Sequence, residues 1–69
     1  MKIFVLNDLD YNYFVGTKEQ LLNFSKTDSF QEILENCPYV TMWINGVMEK
    51  DFGYFLDVDS LVNKLKNEI

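Results

Sequence analysis

An Asn-Gly pair at residues 45 and 46 constrains the fold of this chain more than any other feature of its sequence. The pair supplies two residues that tolerate positive φ, as a two-residue type I′ turn requires. β-Branched and aromatic residues flank it over residues 39–44 and 47–52, so the pattern predicts a β-hairpin. The predicted facing pairs are Ile44 with Val47, Trp43 with Met48, and Thr41 with Lys50.

This pairing sorts the side chains of the hairpin onto two sheet faces, because side chains alternate along a strand. The face predicted to join the core carries Val40, Met42, Ile44 and Val47, followed by Glu49 and Asp51. The opposite face carries Tyr39, Thr41, Trp43, Met48, Lys50 and Phe52. Its large apolar side chains form a stripe with two interpretations: a helix covers it as ordinary core, or it is exposed as a binding patch.

The amino-terminal part of the chain predicts a second hairpin followed by a helix. Residues 2–7 are an almost continuous apolar run, which indicates a central strand buried on both faces. Residues 11–15 are rich in aromatic and β-branched side chains and form its predicted partner strand. Thr17 and Gln20 have the spacing of a capping box, which predicts that a helix begins there.

Two further helices are predicted on either side of the Asn-Gly hairpin. The first has Ser29 and Glu32 as a capping pair and ends at Pro38. Its apolar face would carry Phe30, Ile33, Leu34 and Cys37. The last helix, capped by Asp57 or Asp59, has its apolar residues at helical spacing: Val58, Leu61, Val62, Leu65 and Ile69. The whole chain, residues 1–69, is therefore predicted to be a single α+β domain of order ββααββα, with helices packed on an antiparallel-dominated sheet.

The residue types that are missing exclude much of enzyme chemistry. The chain has no histidine, the commonest general base and a frequent zinc ligand, and it has no arginine. Its one cysteine, Cys37, lies at a predicted helix carboxyl end, where the helix dipole disfavours a thiolate, and on an apolar stripe, which predicts a core role. A lone cysteine in so small a domain also favours a reducing, cytoplasmic location. We therefore expect a protein that is not an enzyme and has no cofactor.

Paired carboxylates occur twice, as Asp8-Leu9-Asp10 and as Asp57-Val58-Asp59. They could offer oxygen ligands to Ca²⁺ or Mg²⁺ if the fold brought the two loops together. Turn formation and helix capping account for the same residues without a metal. We therefore predict no metal site.

The charge of the chain restricts its partners. Eleven Asp and Glu residues against six Lys give a net charge of −5, which opposes direct binding to nucleic acid and suits a basic protein partner. No segment approaches the roughly 20 apolar residues of a membrane span. The use of Lys rather than Arg, with many Asn, Ile, Phe and Tyr residues, is typical of AT-rich genomes such as those of low-GC bacteria and their phages.

These observations predict a non-enzymatic protein-interaction module. Its more specific form is a phage- or mobile-element-encoded inhibitor of a host defence or nucleic-acid-processing protein, acting by direct contact or by acidic mimicry of nucleic acid. The alternative is a small structural or regulatory subunit that functions as a homo-oligomer. The candidate partner-binding residues are Tyr39, Trp43, Met48, Phe52, Tyr54, Tyr11, Tyr13, Asp8, Asp10, Glu49 and Asp51.

Overall fold

A computed structural model describes residues 1–68, which form one antiparallel sheet and three helices in the order ββααββα. The strands are β1 (Lys2–Asn7), β2 (Asn12–Gly16), β3 (Tyr39–Ile44) and β4 (Val47–Tyr54). The helices are α1 (Lys18–Phe24), α2 (Asp28–Leu34) and α3 (Val58–Leu65). The strand order is β2-β1-β3-β4. The α+β class, the element order and the central position of β1 are confirmed.

Side-chain caps begin α1 and α3 where the sequence predicts them. The Thr17 hydroxyl accepts a hydrogen bond from the Gln20 backbone N–H at 3.2 Å, and the Gln20 amide oxygen accepts from the Thr17 N–H at 2.9 Å. This reciprocal pair is the predicted capping box. Asp57, rather than Asp59, caps α3 by accepting from the Ser60 N–H at 2.8 Å. Both caps satisfy backbone donors that have no partner within the helix.

Helix α2 differs from the prediction at both ends. Its N-cap is Thr27, whose hydroxyl accepts from the Phe30 N–H, so Ser29 lies inside the helix and does not cap it. The helix ends at Leu34, and Cys37 is exposed with a φ of 53°. The prediction that Cys37 belongs to the core is therefore wrong. Pro38 disfavours helical geometry in the residue before it, so the helix and its apolar stripe stop short of Cys37.

The helices pack on one face of the sheet and enclose a single apolar cluster. Its buried members are Phe4, Leu6, Leu21, Phe30, Val40, Met42, Phe55, Leu61 and Leu65. The predicted core face of β3 is thus confirmed by Val40 and Met42. The prediction that β1 is buried on both faces is wrong for its second face, where Ile3 and Val5 are only half-buried. Ile69, predicted to extend the apolar stripe of α3, lies outside the described residues.

The β3–β4 hairpin begins in the predicted register and then shifts twice. Asn45 and Gly46 have φ values of 53° and 82°, and the predicted pairs of Ile44 with Val47 and of Trp43 with Met48 are confirmed. The register then shifts between Trp43 and Met42 and again between Thr41 and Val40. Each shift inserts one extra residue into β4, as a β-bulge does. The predicted pairing of Thr41 with Lys50 is wrong, since Thr41 pairs with Asp51.

The bulges redistribute the side chains of β4 between the two faces. Phe52 packs against the core, with its ring centroid 6.1 Å from that of Phe4, and Lys50 Nζ lies 4.9 Å above the Phe52 ring. Pairing with Thr41 places Asp51 in a row of the opposite face. The predicted faces of Lys50, Asp51 and Phe52 are therefore wrong, because one inserted residue reverses the alternation of every residue beyond it. Glu49, also assigned to the core face, is exposed at the first shift.

Candidate protein-binding surface

The sheet face opposite the helices is left open, because the helices of residues 1–68 place their buried side chains on the other side. We call it the open face. The cross-strand pairs put Ile3, Val5, Val15, Tyr39, Thr41, Trp43, Met48, Asp51 and Tyr54 on it. With strands about 4.8 Å apart and three rows of side chains, its flat area is on the order of 400 Å².

The open face has a half-buried centre and exposed margins. Val15, Met48 and Tyr54, on the outer strands, are 59%, 48% and 61% exposed. In the centre, the Trp43 indole N–H donates to the Thr41 hydroxyl at 3.0 Å, and Thr41 is buried. This hydrogen bond holds the indole against the sheet and satisfies the buried hydroxyl. The central aromatic side chain therefore has a hydrogen-bond partner on its own strand.

The two edge strands are poorly suited to pairing with a further strand. β4 carries two register shifts and the consecutive charged residues Glu49, Lys50 and Asp51, while β2 has only five residues. Bulges, charges and short length are the features by which proteins protect sheet edges against strand addition. Contact through side chains of the open face is therefore favoured over backbone pairing at an edge.

A shallow cleft adjoins the open face where β1 and β4 end. It has a volume of about 320 Å³ and is lined by Asp8, Leu9, Asp10, Asn36, Cys37, Tyr39 and Tyr54. A neighbouring depression of about 260 Å³ shares Leu9, Tyr39 and Tyr54 and adds Asp51 and Gly53. The rings of Tyr39 and Tyr54 meet at a centroid distance of 5.6 Å and an angle of 75°. The cleft therefore combines carboxylates with aromatic surface.

Asp8 and Tyr13 are linked by a hydrogen bond behind this cleft. The Asp8 carboxylate accepts from the Tyr13 hydroxyl and from the backbone N–H groups of Asp10 and Tyr11, at 2.7 and 2.8 Å for the last two. The Tyr13 bond, followed by the N–H groups, lowers the pKa of Asp8, and the same Asp8 bond raises the pKa of Tyr13. Both pKa values move away from neutrality, so neither group is suited to proton transfer near pH 7. The pair closes the β1–β2 turn.

The structure separates the predicted site residues into groups. Tyr39, Trp43, Met48, Asp51 and Tyr54 share the open face, and Asp8 and Asp10 line the adjoining cleft. Tyr11 is exposed and stacks on Tyr13 at 5.8 Å, while the Tyr13 hydroxyl also accepts from the Asn36 amide at 3.2 Å. Phe52 lies on the helix side, and Glu49 is exposed at the first register shift of β4.

Sequence analysis missed four apolar residues of this surface. Ile3 and Val5 were assigned to a doubly buried strand, and Val15 and Leu9 were given no role. The missed signal was the alternation of Ile3 and Val5 with Phe4 and Leu6, which the continuous apolar run concealed.

Within residues 1–68 the structure shows neither a group of metal ligands nor a membrane-spanning helix. No three Asp, Glu or Cys side chains are grouped as metal ligands there. The Asp57 carboxylate caps α3, and its hydrogen bonds with Ser60 lower its pKa. None of the helices in the described chain is long and apolar enough to cross a membrane.

No protein-family model, no curated protein and no solved structure matches this chain. The function must therefore be argued from the surface itself.

The Asp8–Tyr13 bond predicts a measurable titration shift. Replacing Tyr13 with Phe removes the largest cause of the lowered Asp8 pKa, so the pKa of Asp8 should rise towards its ordinary value. A group whose pKa is lowered by folding contributes stability that is lost as pH falls through the folded-state pKa. In the Tyr13→Phe variant, the part of the free energy of unfolding that is lost on acidification because of Asp8 should therefore be smaller. Carboxyl chemical shifts followed by NMR against pH test this, and an unchanged Asp8 pKa contradicts it.

Proposed function

We propose that this chain is a non-enzymatic protein-interaction module whose contact surface is the open face of the sheet. The observation that carries the proposal is the distribution of apolar side chains between the two faces. The helices cover one face, and the other keeps Trp43, Tyr39, Tyr54 and Met48 at or near the surface. Large apolar side chains that the helices of residues 1–68 leave uncovered are typical of interaction sites.

The residue types of the open face support protein contact in particular. Trp and Tyr are enriched among the residues that dominate binding energy at protein interfaces, and Met is enriched at such interfaces as well. Rigid aromatic side chains also lose little conformational entropy on binding. Trp43, already held by Thr41, fits the role of a central anchor.

Catalysis has less support than binding. The chain contains no histidine, and Cys37 is exposed in a loop without an imidazole partner. The Asp8–Tyr13 pair has pKa values displaced away from neutrality in both directions. A binding function uses the described surface without requiring chemistry that these groups do not supply.

Direct contact has more support than acidic mimicry of nucleic acid. Mimicry would use an array of free carboxylates placed like phosphates. Three carboxylates that such an array could include already accept backbone hydrogen bonds: Asp8 in the β1–β2 turn, Asp51 from Gly53, and Asp57 at the start of α3. The open face, in contrast, is mainly apolar. The more specific hypothesis of a phage-encoded inhibitor therefore takes the form of a protein that blocks its host target through an apolar contact.

Self-association through the open face, the alternative function, faces an electrostatic obstacle. The register places Asp51 on this face, and no lysine of residues 1–68 shares it. A two-fold face-to-face pair would bury two copies of Asp51 without a cation from either chain. Light scattering over a range of concentrations tests this alternative. A monomer supports a different protein as the partner, and a dimer that depends on Met48 supports a homo-oligomer.

The proposal predicts that polar substitutions on the open face weaken binding of the partner. Val15→Gln combined with Met48→Gln removes apolar contact from both margins without changing net charge. We expect affinity for the captured protein to fall about tenfold or more, because each apolar side chain buried at an interface contributes about 1.5–3 kcal/mol. The measurement is affinity capture from a low-GC bacterial lysate, followed by titration of the purified partner.

A matched double variant controls for effects on folding. Val47→Gln with Val62→Gln replaces two comparably exposed valines, one paired with Ile44 on the helix-side row of β4 and one on α3. This control should bind as the wild type does, with circular dichroism confirming that both double variants are folded. Equal binding by the two double variants would refute the open face as the contact surface. For the inhibitor hypothesis, the captured protein must also lose its activity at stoichiometric amounts of this chain.

A further inference from the structure

The strand ends give the molecule two electrically different ends. The pairs of Asn7 with Asn12, Asn7 with Tyr39, and Tyr39 with Tyr54 form one row across the sheet. The loops of residues 8–11, 35–38 and 55–57 therefore leave the sheet at this end, which we call the acidic end. These loops contain four acidic residues and no lysine: Asp8, Asp10, Glu35 and Asp57.

Three lysines contact Glu68 at the other end of the sheet. Lys2, which pairs with Ile44 next to the Asn-Gly turn, lies 3.6 Å from the Glu68 carboxylate, and Lys50 lies 3.2 Å from it. Lys18 donates to the Glu68 main-chain oxygen at 2.6 Å. Lys50, chiefly through its hydrogen bond, and Lys2 lower the pKa of Glu68. These cations are thus committed to contacts away from the open face and the acidic end.

Because these lysines lie elsewhere, the charged residues on and beside the open face are acidic. Asp51 lies on it, and Asp8 and Asp10 line the cleft beside Tyr39 and Tyr54. Carboxylates beside aromatic rings suit a Lys or Arg side chain, whose apolar stem packs on the rings and whose cation meets the carboxylates. Asp10 is exposed, so its charge is available to an incoming group.

From this charge complementarity we infer that the partner is a protein whose contact surface is an apolar patch with Lys or Arg side chains at one border. The apolar patch covers the open face around Trp43, and the basic side chains enter the cleft at Tyr39 and Tyr54. The inference rests on the proposed function and adds the chemistry and orientation of the partner. Acids at a rim act mainly by steering the encounter and rejecting acidic competitors, while apolar burial supplies most of the affinity.

The test uses short random peptides displayed on phage and selected on the immobilised wild-type chain. Selection against the Val15→Gln, Met48→Gln variant removes peptides that bind elsewhere. The recovered peptides should contain more Lys and Arg, beside apolar residues, than the starting library does. Their affinities are then measured by emission from Trp43, the only tryptophan in the chain.

Two variants that each remove two negative charges distinguish the effect of carboxylates beside the open face from the effect of net charge alone. Asp10→Asn with Asp51→Asn neutralises the border of the open face, and the amide oxygen introduced at position 51 can still accept from the Gly53 N–H as the Asp51 carboxylate does. Glu19→Gln with Glu32→Gln neutralises two exposed helix carboxylates instead. We expect the first variant to bind the peptides about fivefold more weakly, since it removes two exposed ion pairs with the basic side chains. The second should bind within about twofold of the wild type, because distant exposed charges are screened by salt.

The possible outcomes distinguish this inference from the proposed function. Neutral or acidic peptides that depend on Val15 and Met48 would refute the basic partner while leaving the open face as a binding surface. Equal binding by the two charge variants would likewise refute the basic partner and leave the open face as a binding surface. Failure to recover any peptide sensitive to the Val15→Gln, Met48→Gln substitutions would count against the open face and would therefore refute both.

Discussion

Phe30→Ala should lower the free energy of unfolding of this protein by about 3–5 kcal/mol. The Phe30 ring is fully buried, 6.0 Å from the ring centroids of both Phe24 and Phe55. Truncating a buried Phe to Ala costs about 3–5 kcal/mol, because apolar burial is lost and a cavity is left. At about 0.05–0.15 kcal/mol per residue, a chain of 69 residues has about 3–10 kcal/mol of stability in total. The substitution therefore removes a large share of it.

Urea denaturation followed by far-ultraviolet circular dichroism measures this loss. Val62→Ala is the control, because Val62 lies on the outer side of α3 and is 42% exposed. Its effect on the free energy of unfolding should stay within about 0.5 kcal/mol. A loss below about 1 kcal/mol for Phe30→Ala would show that the helix-side cluster is not the principal core.

Gly53→Val should destabilise the chain by about 1–2 kcal/mol through its backbone alone, since left-handed geometry costs an L-residue about that much. Gly53 has a φ of 76°, and a side chain added there would meet no atom within 4 Å. The cost therefore comes from conformation and not from a clash. Gly53 follows Phe52 at the second register shift, and its N–H donates to the Asp51 carboxylate at 2.8 Å. The substitution thus strains the bulge that sends Phe52 to the core and Asp51 to the open face.

The measurement is again the free energy of unfolding, with Glu49→Val as the control. Glu49 is exposed in the same strand and does not have a positive φ, so a valine there tests the added β-branched side chain alone. That control should lie within about 0.5 kcal/mol of the wild type. Equal stability of Gly53→Val and Glu49→Val would mean that the positive φ at residue 53 is not required by the fold.

The Phe30 and Gly53 predictions test two structural features on which the open face depends. Phe30 and its neighbours keep the helices on one face and therefore leave the other face open. Gly53 and its bulge decide which side chains of β4 reach that face. A binding experiment on the open face is interpretable only when both conditions hold, so folding must be checked for every surface variant.

Local signals in the sequence were sufficient to predict most of the elements. The capping box at Thr17 and Gln20, the Asp57 cap and the Asn45-Gly46 turn each depend on residues within a few positions of one another. Such interactions form in the same way wherever the segment lies in the fold. The confirmed α+β class and element order follow from these signals together with the periodicity of apolar residues.

The candidate surface could be predicted only in part. Tyr39, Trp43 and Met48 were assigned to one face because the hairpin register near the turn depends on the turn itself. Phe52 and Asp51 were assigned wrongly because nothing local marks two extra residues further along β4. The apolar run of β1 likewise showed that Ile3 and Val5 are in a strand but not whether a helix covers them.

The sequence by itself determined where the strands, turns and helix starts lie, and it set the residue types and the negative charge from which any function must be built. Only the tertiary structure decided that the helices share one side of the sheet, that Phe52 joins the core, and that Asp51 adjoins the Tyr39–Tyr54 cleft. The physical reason is the range of the interactions. Caps and turns are satisfied within a few residues, whereas the choice of face depends on how distant segments bury their apolar area together.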